Sequence, residues 1–495
     1  MSENTAATTT LAAPSVHDSR TADPRRWLAL AVVAIAQLMV VLDATVVNIA
    51  MPAAQQALHI SDPNRQWIVT AYTLTFGGLL LLGGRIADFV GRKRIFLIGL
   101  VGFAAASGLG GAAVNAEMLF GARALQGAFG ALLAPAALSI ITVTFTEARE
   151  RAKAFGVFGA ISGGGAAIGM LSGGLLTQYA DWRWCLFVNV PIAVIALVAA
   201  LPIVKESRAH GNTRYDIPGA VLSTGGLAAL VYGFTRAASD GWSEAGTVIT
   251  LVIAALLLVV FVLWERRTSH PLLPLRVVLD HNRGGAFLTS ILLGAGMMGM
   301  FLFMTYYMQE TLHYSAIRNG LAYLPFSAGI VVSAIIAAQL MPRISPRILM
   351  GTGALLATAG TIWLTQLGPN SAYGTFILPA FIVMSLGMGL VFVPLGNVAL
   401  TGVASHDAGV ASALVNSTQQ VGGSLGTALL NSIFTTAMAG YLTAHGLASI
   451  ASATLHGYSV AFTVSAGLIA SSAVIVFLLV RAKRMQSTSV PALAD

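Results

Sequence analysis

Apolar runs long enough to cross a bilayer recur along almost the whole chain, and short polar segments separate them. An α-helix rises ~1.5 Å per residue, so about 20 apolar residues cover a hydrocarbon core of about 30 Å. Fourteen runs meet that measure: 27–50, 67–83, 95–114, 118–143, 155–177, 185–204, 216–235, 246–264, 285–309, 318–341, 347–367, 374–399, 408–437 and 457–480. Backbone amides find no water inside a bilayer, so the runs are read as helices packed across it. The expected fold class is an all-α integral membrane protein.

The polar segments set the orientation. With the N-terminus inside, the cytoplasmic segments hold 22 Lys and Arg, the outer loops hold 4, and Arg123 lies within a run. Such a bias marks the cytoplasmic side of a membrane protein. Both termini are therefore expected in the cytoplasm, with tails at 1–26 and 482–495 and the chain in the cell (inner) membrane. No short apolar core with a small-residue cleavage site precedes Trp27, so the first run is read as a retained spanner. Polar segments at 205–215 and 265–283 set off the seventh and eighth runs as an inserted pair. The division expected is a six-helix bundle at 27–204, a linker with two inserted helices at 205–283, and a second six-helix bundle at 284–481. The basic turn at 342–347 stands where 84–94 stands in the first half, as in transporters built from internal repeats.

Composition agrees with a membrane chain. Charged residues make up 9% and hydrophobic residues 56%, against a charged fraction of ~25% in soluble domains. The net charge of +8 does not indicate a nucleic-acid partner, because the basic residues sit between apolar runs rather than on one soluble face. The single cysteine, Cys185, excludes an internal disulfide framework and a multi-cysteine metal site. A phosphate-binding Gly-x-x-x-x-Gly-Lys-Ser/Thr loop is absent from the sequence, which argues against direct drive by ATP.

Against this background Asp43 is conspicuous as the one charged side chain of the first run. A carboxylate within a bilayer costs at least ~2.5 kcal/mol, so it points to proton or substrate handling; a structural hydrogen bond is the plainer alternative. Arg123 is similarly costly in the fourth run. Counted from the run ends, both lie roughly 10 Å below the outer boundary. If helices 1 and 4 are neighbours, the two charges can meet or share a cavity; otherwise Arg123 snorkels outward. Gln126 lies three residues on, on the same helical face.

Two glycine-bearing stretches add to this. Gly84-Arg85-Ile86-Ala87-Asp88-Phe89-Val90-Gly91-Arg92-Lys93-Arg94 links the second and third runs, and Gly84, Asp88, Gly91 and Arg92 are its candidate gating residues. Asp88 can pair with a nearby arginine or sit at a helix N-terminus. In the fifth run Gly165, Gly169 and Gly173 recur at four-residue spacing, followed by Gly174, a face that permits close helix approach.

These pieces resemble the fourteen-spanner drug:H+ antiporter family of the major facilitator superfamily over about 27–480. The resemblance rests on Leu42-Asp43-Ala44-Thr45-Val46-Val47-Asn48 with Pro52, on Trp182-Arg183-Trp184 leading to Asn189-Val190-Pro191, and on Pro271-Leu272-Leu273-Pro274-Leu275. The 84–94 stretch matches the family's Gly-x-Leu-Ala-Asp-Arg-x-Gly-Arg-Lys loop, with Ile86 for leucine and Phe89 for arginine. Gly169-Met170-Leu171-Ser172-Gly173-Gly174 matches its antiporter motif Gly-Pro-x-x-Gly-Gly without the proline. The resemblance implies a major facilitator fold and proton-driven efflux of drugs, antibiotics or related amphipathic compounds by alternating access. It also implies Asp43 and Arg123 as the proton-coupling pair. A proton gradient would supply the energy, with no cofactor and no metal. The expected partners are an amphipathic small molecule, protons and lipid, with a monomer as the working unit.

Candidate cavity residues are Asn48, Gln126, Tyr306, Asn416 and Gln420. From residue 318 to the end the sequence has only two acids, Asp407 and Asp495. That scarcity points to a neutral, zwitterionic or anionic substrate rather than a dication. Two other functions fit less well. A proton-coupled symporter importing a metabolite has the same architecture, and Met170 in place of proline leaves room for it. A membrane-embedded enzyme needs a nucleophile–base pair or metal cluster at membrane depth, and none is found in the sequence.

Overall fold

The structure, a computed structural model, describes residues 25–145, 147–208, 216–269, 271–273, 275–403, 408–446 and 449–482. The expected tails 1–26 and 482–495 lie almost entirely outside these residues, as do Asp407 and Asp495. Among the described residues, fourteen long helices account for the fourteen runs: α1 (Arg26–Ala57), α2 (Trp67–Val90), α3 (Arg92–Gly111), α4 (Ala116–Thr144), α5 (Ala148–Tyr179), α6 (Trp184–Ile203), α7 (Ile217–Asp240), α8 (Ala245–Arg267), α9 (His281–Thr311), α10 (Ala316–Leu340), α11 (Pro346–Leu364), α12 (Tyr373–Leu400), α13 (Ala408–His445) and α14 (Ile450–Leu479). Twelve are long and apolar enough to span a membrane, and α5 and α13 are helices of 32 and 38 residues. Side-chain caps fix several starts. Asn115 accepts from the Met118 amide, Asp216 from Gly219, Glu244 from Thr247 and Asp280 from Asn282 and Arg283.

Two boundaries differ from the sequence pattern. Helix α1 does not end near Ala50 but runs through Pro52 to Ala57. A membrane helix tolerates proline when its neighbours re-satisfy the freed backbone. Asp43 is thus 14 residues from the helix end, about 21 Å along its axis, so the run end understated its depth within α1. The segment 84–94 is not a loop either. Helix α2 continues to Val90, and Gly91 alone separates it from α3.

Helix pairing shows an internal repeat. In the first half α1 packs on α5 and α6, α2 on α4, and α3 on α4 and α6. Eight helices later the same pairings recur: α9 with α13 and α14, α10 with α12, and α11 with α12 and α14. Helices α7 and α8 pack on each other, and α7 also meets α2 and α13. On α8 the exposed Ile249, Val252, Leu256 and Val259 match an apolar solvent such as lipid.

The two halves meet through α2 with α13, α5 with α10, and α1 with α9. The hydrogen bonds between described residues that join them gather at the bundle end opposite Asp88. They link Arg65 and the Asp62 and Pro63 carbonyls with Asn431, Gln55 with Tyr306, Ile49 with Gln309, and Gln178 with Ile317. One more, from Ser417 to the Gly77 carbonyl, lies near the middle of α2. Among the described residues, the hydrogen bonds therefore fasten the two halves chiefly at the end away from Asp88.

Candidate functional site

Asp43 and Arg123 meet. Both are buried, at 0% and 1% exposure, and Arg123 Nη1 donates to Asp43 Oδ2 at 2.6 Å. The other carboxylate oxygen, Oδ1, accepts from Gln126 Nε2 at 2.9 Å and from Asn189 Nδ2 at 2.8 Å. Arg123 is held in turn. Its Nε donates to the Ile68 carbonyl at 2.9 Å, its Nη1 also reaches Gln126 Oε1 at 2.9 Å, and its guanidinium lies 4.5 Å from the Tyr72 ring centroid. Ser107 Oγ accepts from both Gln126 and Asn189 at 2.9 Å and donates to the Leu186 carbonyl at 2.8 Å.

Five helices thus build one site around one acid: α1 supplies Asp43, α2 Tyr72 and the Ile68 carbonyl, α3 Ser107, α4 Arg123 and Gln126, and α6 Asn189. Charge cancels inside it. A buried ion pair persists only where extra hydrogen bonds satisfy the remaining lone pairs and protons, and Gln126, Asn189 and the Ile68 carbonyl meet that need. Beside Arg123 a cavity of about 10 Å³, lined mainly by apolar side chains such as Val47, Met51 and Leu119, leaves room for a single water at most.

Sequence reasoning singled out Asp43, Arg123 and Gln126. It did not assign Asn189, Ser107 or Tyr72 to the site. Asn189 left a signal, being a polar residue inside the apolar run 185–204; Ser107 and Tyr72 left none, since serine and tyrosine are ordinary in such helices.

The 84–94 segment carries a different charge arrangement. Asp88 Oδ1 takes Arg92 Nη2 at 2.9 Å and Nε at 3.0 Å. The α3 N-terminus is occupied by Glu206 instead, whose carboxylate accepts from the Lys93 and Arg94 amides at 3.1 and 3.3 Å. Gly91 adopts φ 127°, and a methyl there would lie 2.7 Å from the Glu206 carboxylate. Glycine is required on both counts. Gly84 lies within α2, where a methyl would touch Pro135 at 3.4 Å.

The glycines of α5 divide between two neighbours. Gly165, Gly169 and Gly173 face α1, and methyls on the last two would collide with Thr45 Oγ1 at 1.9 Å and the Val46 carbonyl at 2.8 Å. Helix α5 therefore packs against the turns flanking Asp43. Gly174 faces the other half of the molecule, against Ala316 and Ile317 of α10.

The candidate cavity residues are dispersed. Gln126 belongs to the Asp43 network, Asn48 donates to the Ala44 carbonyl of its own helix, and the Gln420 side chain lies against Gly77 of α2. Asn416 is exposed, whereas Tyr306 is fully buried at the fastened end, donating to Gln55 Oε1. Among the described residues no group of three His, Cys, Asp or Glu could hold a metal ion.

The profile of the Major Facilitator Superfamily matches residues 33–427. A puromycin resistance protein of Streptomyces alboniger is 52% identical over 463 residues, 92% of each chain. A cephamycin export protein of Amycolatopsis lactamdurans is 39% identical, covering 81% of this chain and 84% of its own. A lincomycin resistance protein of Streptomyces lincolnensis is 36% identical, covering 82% and 84%. Among solved structures, a bacterial homologue of the human lysosomal transporter Spinster, inward-facing and unoccupied, matches with a TM-score of 0.66 at 17% identity, covering 93% of this chain and 98% of its own. The helix architecture, the profile match and these relatives agree, and the chain belongs to the major facilitator superfamily of membrane transporters.

Proposed function

We propose that this transporter exports antibiotics and related amphipathic compounds from the cytoplasm, driven by protons returning through Asp43. The observation that carries the reading is the buried Asp43–Arg123 pair with its Gln126 and Asn189 donors. The names of the relatives, for resistance to or export of puromycin, cephamycin and lincomycin, supply the substrate class.

The basic end, with Asp88 and Arg92, faces the cytoplasm, and both tails lie there, as the excess of Lys and Arg requires. The fastened end is then the outer one, and its cross-links support reading this arrangement as the state closed to the outside. The first and second six-helix bundles rock against each other, with α7 and α8 as an inserted pair, and the 84–94 segment governs the cytoplasmic side. One chain contains the whole apparatus, so a monomer suffices.

The energetics explain why proton uptake and conformational change are coupled. Neutralising Asp43 here leaves the Arg123 guanidinium buried and unpaired, at a cost of ~3–5 kcal/mol. A proton crossing 100 mV releases only ~2.3 kcal/mol. Protonation is therefore confined to a state in which Arg123 is hydrated, the outward-open one. Substrate release and proton binding share that state, which is the logic of antiport. Met170, where the antiporter motif has proline, is the one feature favouring symport. Inverted vesicles with an acidified interior separate the two, because an antiporter accumulates substrate there and a symporter does not.

The primary test is a susceptibility screen of a sensitive host, with puromycin first, comparing wild type with Asp43→Asn. Resistance lost in the variant at equal protein level supports the reading; resistance retained removes Asp43 from it. The scarcity of acids from residue 318 to the end predicts poor export of divalent quaternary compounds, and robust efflux of one from proteoliposomes overturns that part.

A further inference from the structure

Arg65 lies in the short connection between α1 and α2, where the charge pattern read it as one of the four outer-loop cations. It is 3% exposed. Its guanidinium carbon sits 4.2 Å from the ring centroid of Tyr306 in α9 and 4.9 Å from that of Phe434 in α13. Its Nε donates to Asn431 Oδ1 at 3.1 Å, and Asn431 Nδ2 donates back to the Asp62 carbonyl at 2.9 Å. Arg65 Nη1 lies 3.6 Å from Asp62 Oδ1, while Nη2 has no hydrogen-bond partner among the described residues. A residue of the first half is thus inserted between two helices of the second.

Three features separate this contact from ordinary packing. A buried cation is costly, and a dry aromatic face is among the few apolar surfaces that attract one. Planarity matters as well, because a guanidinium can stack on a ring while its edge hydrogen-bonds, which an ammonium cannot do. Finally, Arg65 is incompletely satisfied where it sits. Withdrawal would return Nη2 to water and offset part of the lost stacking, so the contact is reversible. Helix α9 also widens into a π-helical turn at Tyr307–Thr311, directly after Tyr306, and such turns are frequent at functional sites.

We propose that Arg65 is the latch of the outer gate. Stacked between Tyr306 and Phe434, it holds the inward-facing state closed on the outside, and it leaves the slot when the outer mouth opens. It is a positioning residue, acting on the equilibrium between states and touching neither proton nor substrate. The proposal rests on the alternating-access reading above.

The test places spin labels at Gln178→Cys and Ile317→Cys in a Cys185→Ser background. Ile317 N donates to Gln178 Oε1 at 3.2 Å across the outer ends of α5 and α10; the labels remove this bond equally from every protein compared and leave Arg65 and its rings intact, so differences in distance between variants report the latch. Pulsed electron–electron distances are recorded for the carrier protein, for Arg65→Ala and Arg65→Lys, and for Phe434→Leu as a second variant on the opposite half. Losing one desolvated stack is expected to shift the ratio of closed to open populations about tenfold or more toward open. Arg65→Ala should show the full shift, and Arg65→Lys and Phe434→Leu a smaller one. Two populations in the carrier protein with an unchanged ratio in all variants overturn the latch while leaving alternating access intact. A single distance in every variant, unaltered by pH or puromycin, overturns alternating access and the latch with it.

Discussion

Removing one charge of the Asp43–Arg123 pair should cost more stability than removing both. The perturbations are Asp43→Asn, Arg123→Gln and the double variant. In Asp43→Asn a single amide oxygen must serve donors from Arg123, Gln126 and Asn189 that two carboxylate oxygens serve now. At least one hydrogen bond to a charged group is lost, worth ~1.5–3 kcal/mol, and the guanidinium keeps its full charge at 1% exposure. Breaking a buried pair from one side costs ~3–5 kcal/mol, whereas replacing both members with neutral groups is often near neutral. The double variant should therefore be more stable than either single one, with a coupling of at least ~2 kcal/mol, larger than distant sites show. Equilibrium unfolding in mixed micelles, titrated with SDS, measures all four corners of the cycle. The reasoning is refuted if Asp43→Asn lies within ~1 kcal/mol of wild type, or if the double variant loses the sum of the single losses.

Other consequences follow from neighbouring geometry. Gly169→Ala sets a methyl 1.9 Å from Thr45 Oγ1 and should destabilise by ~1–3 kcal/mol as α5 is pushed off α1; the same unfolding assay measures it, with Gly225→Ala, where a methyl meets none of the described residues within 4 Å, as the control. Glu206→Ala frees the Lys93 and Arg94 amides, so hydrogen exchange at 92–96 should accelerate, while Glu206→Gln, which keeps the acceptor, should retain part of the protection. Glu244 is held below its ordinary value of 4.5 first by the Gly246 backbone amide and then by that of Thr247. Its lowered value in the folded state means that its capping contribution is present above pH 4.5 and lost as pH falls through the lowered value. Exchange at 245–249, corrected for intrinsic rate, should rise on acidification in wild type and be pH-independent in Glu244→Ala.

Most of the architecture was legible because bilayer chemistry imposes it. Each of the fourteen apolar runs corresponds to a helix, since apolar length is the requirement for crossing hydrocarbon. The ends were less legible: α1 continues beyond Ala50 because Pro52 does not stop a supported helix, and α2 absorbs the expected loop because Gly91 alone makes the turn. At the site, charge was visible and its neutral partners were not. Asp43 and Arg123 are conspicuous against an apolar background, whereas Asn189, Ser107 and Tyr72 acquire meaning only when α6, α3 and α2 bring them together. Arg65 and Tyr306 show the limit most clearly. One read as a loop cation and the other as a cavity residue, and only the approach of the two halves makes them one contact.

The central claim is that a proton reaches Asp43 in exchange for substrate. The direct measurement is substrate-dependent proton movement in proteoliposomes, followed with a pH-sensitive dye, for wild type and Asp43→Asn at matched reconstitution. Proton movement on adding puromycin to wild type, absent in Asp43→Asn that still binds the compound, is the predicted result; equal proton movement in the two proteins would contradict the account.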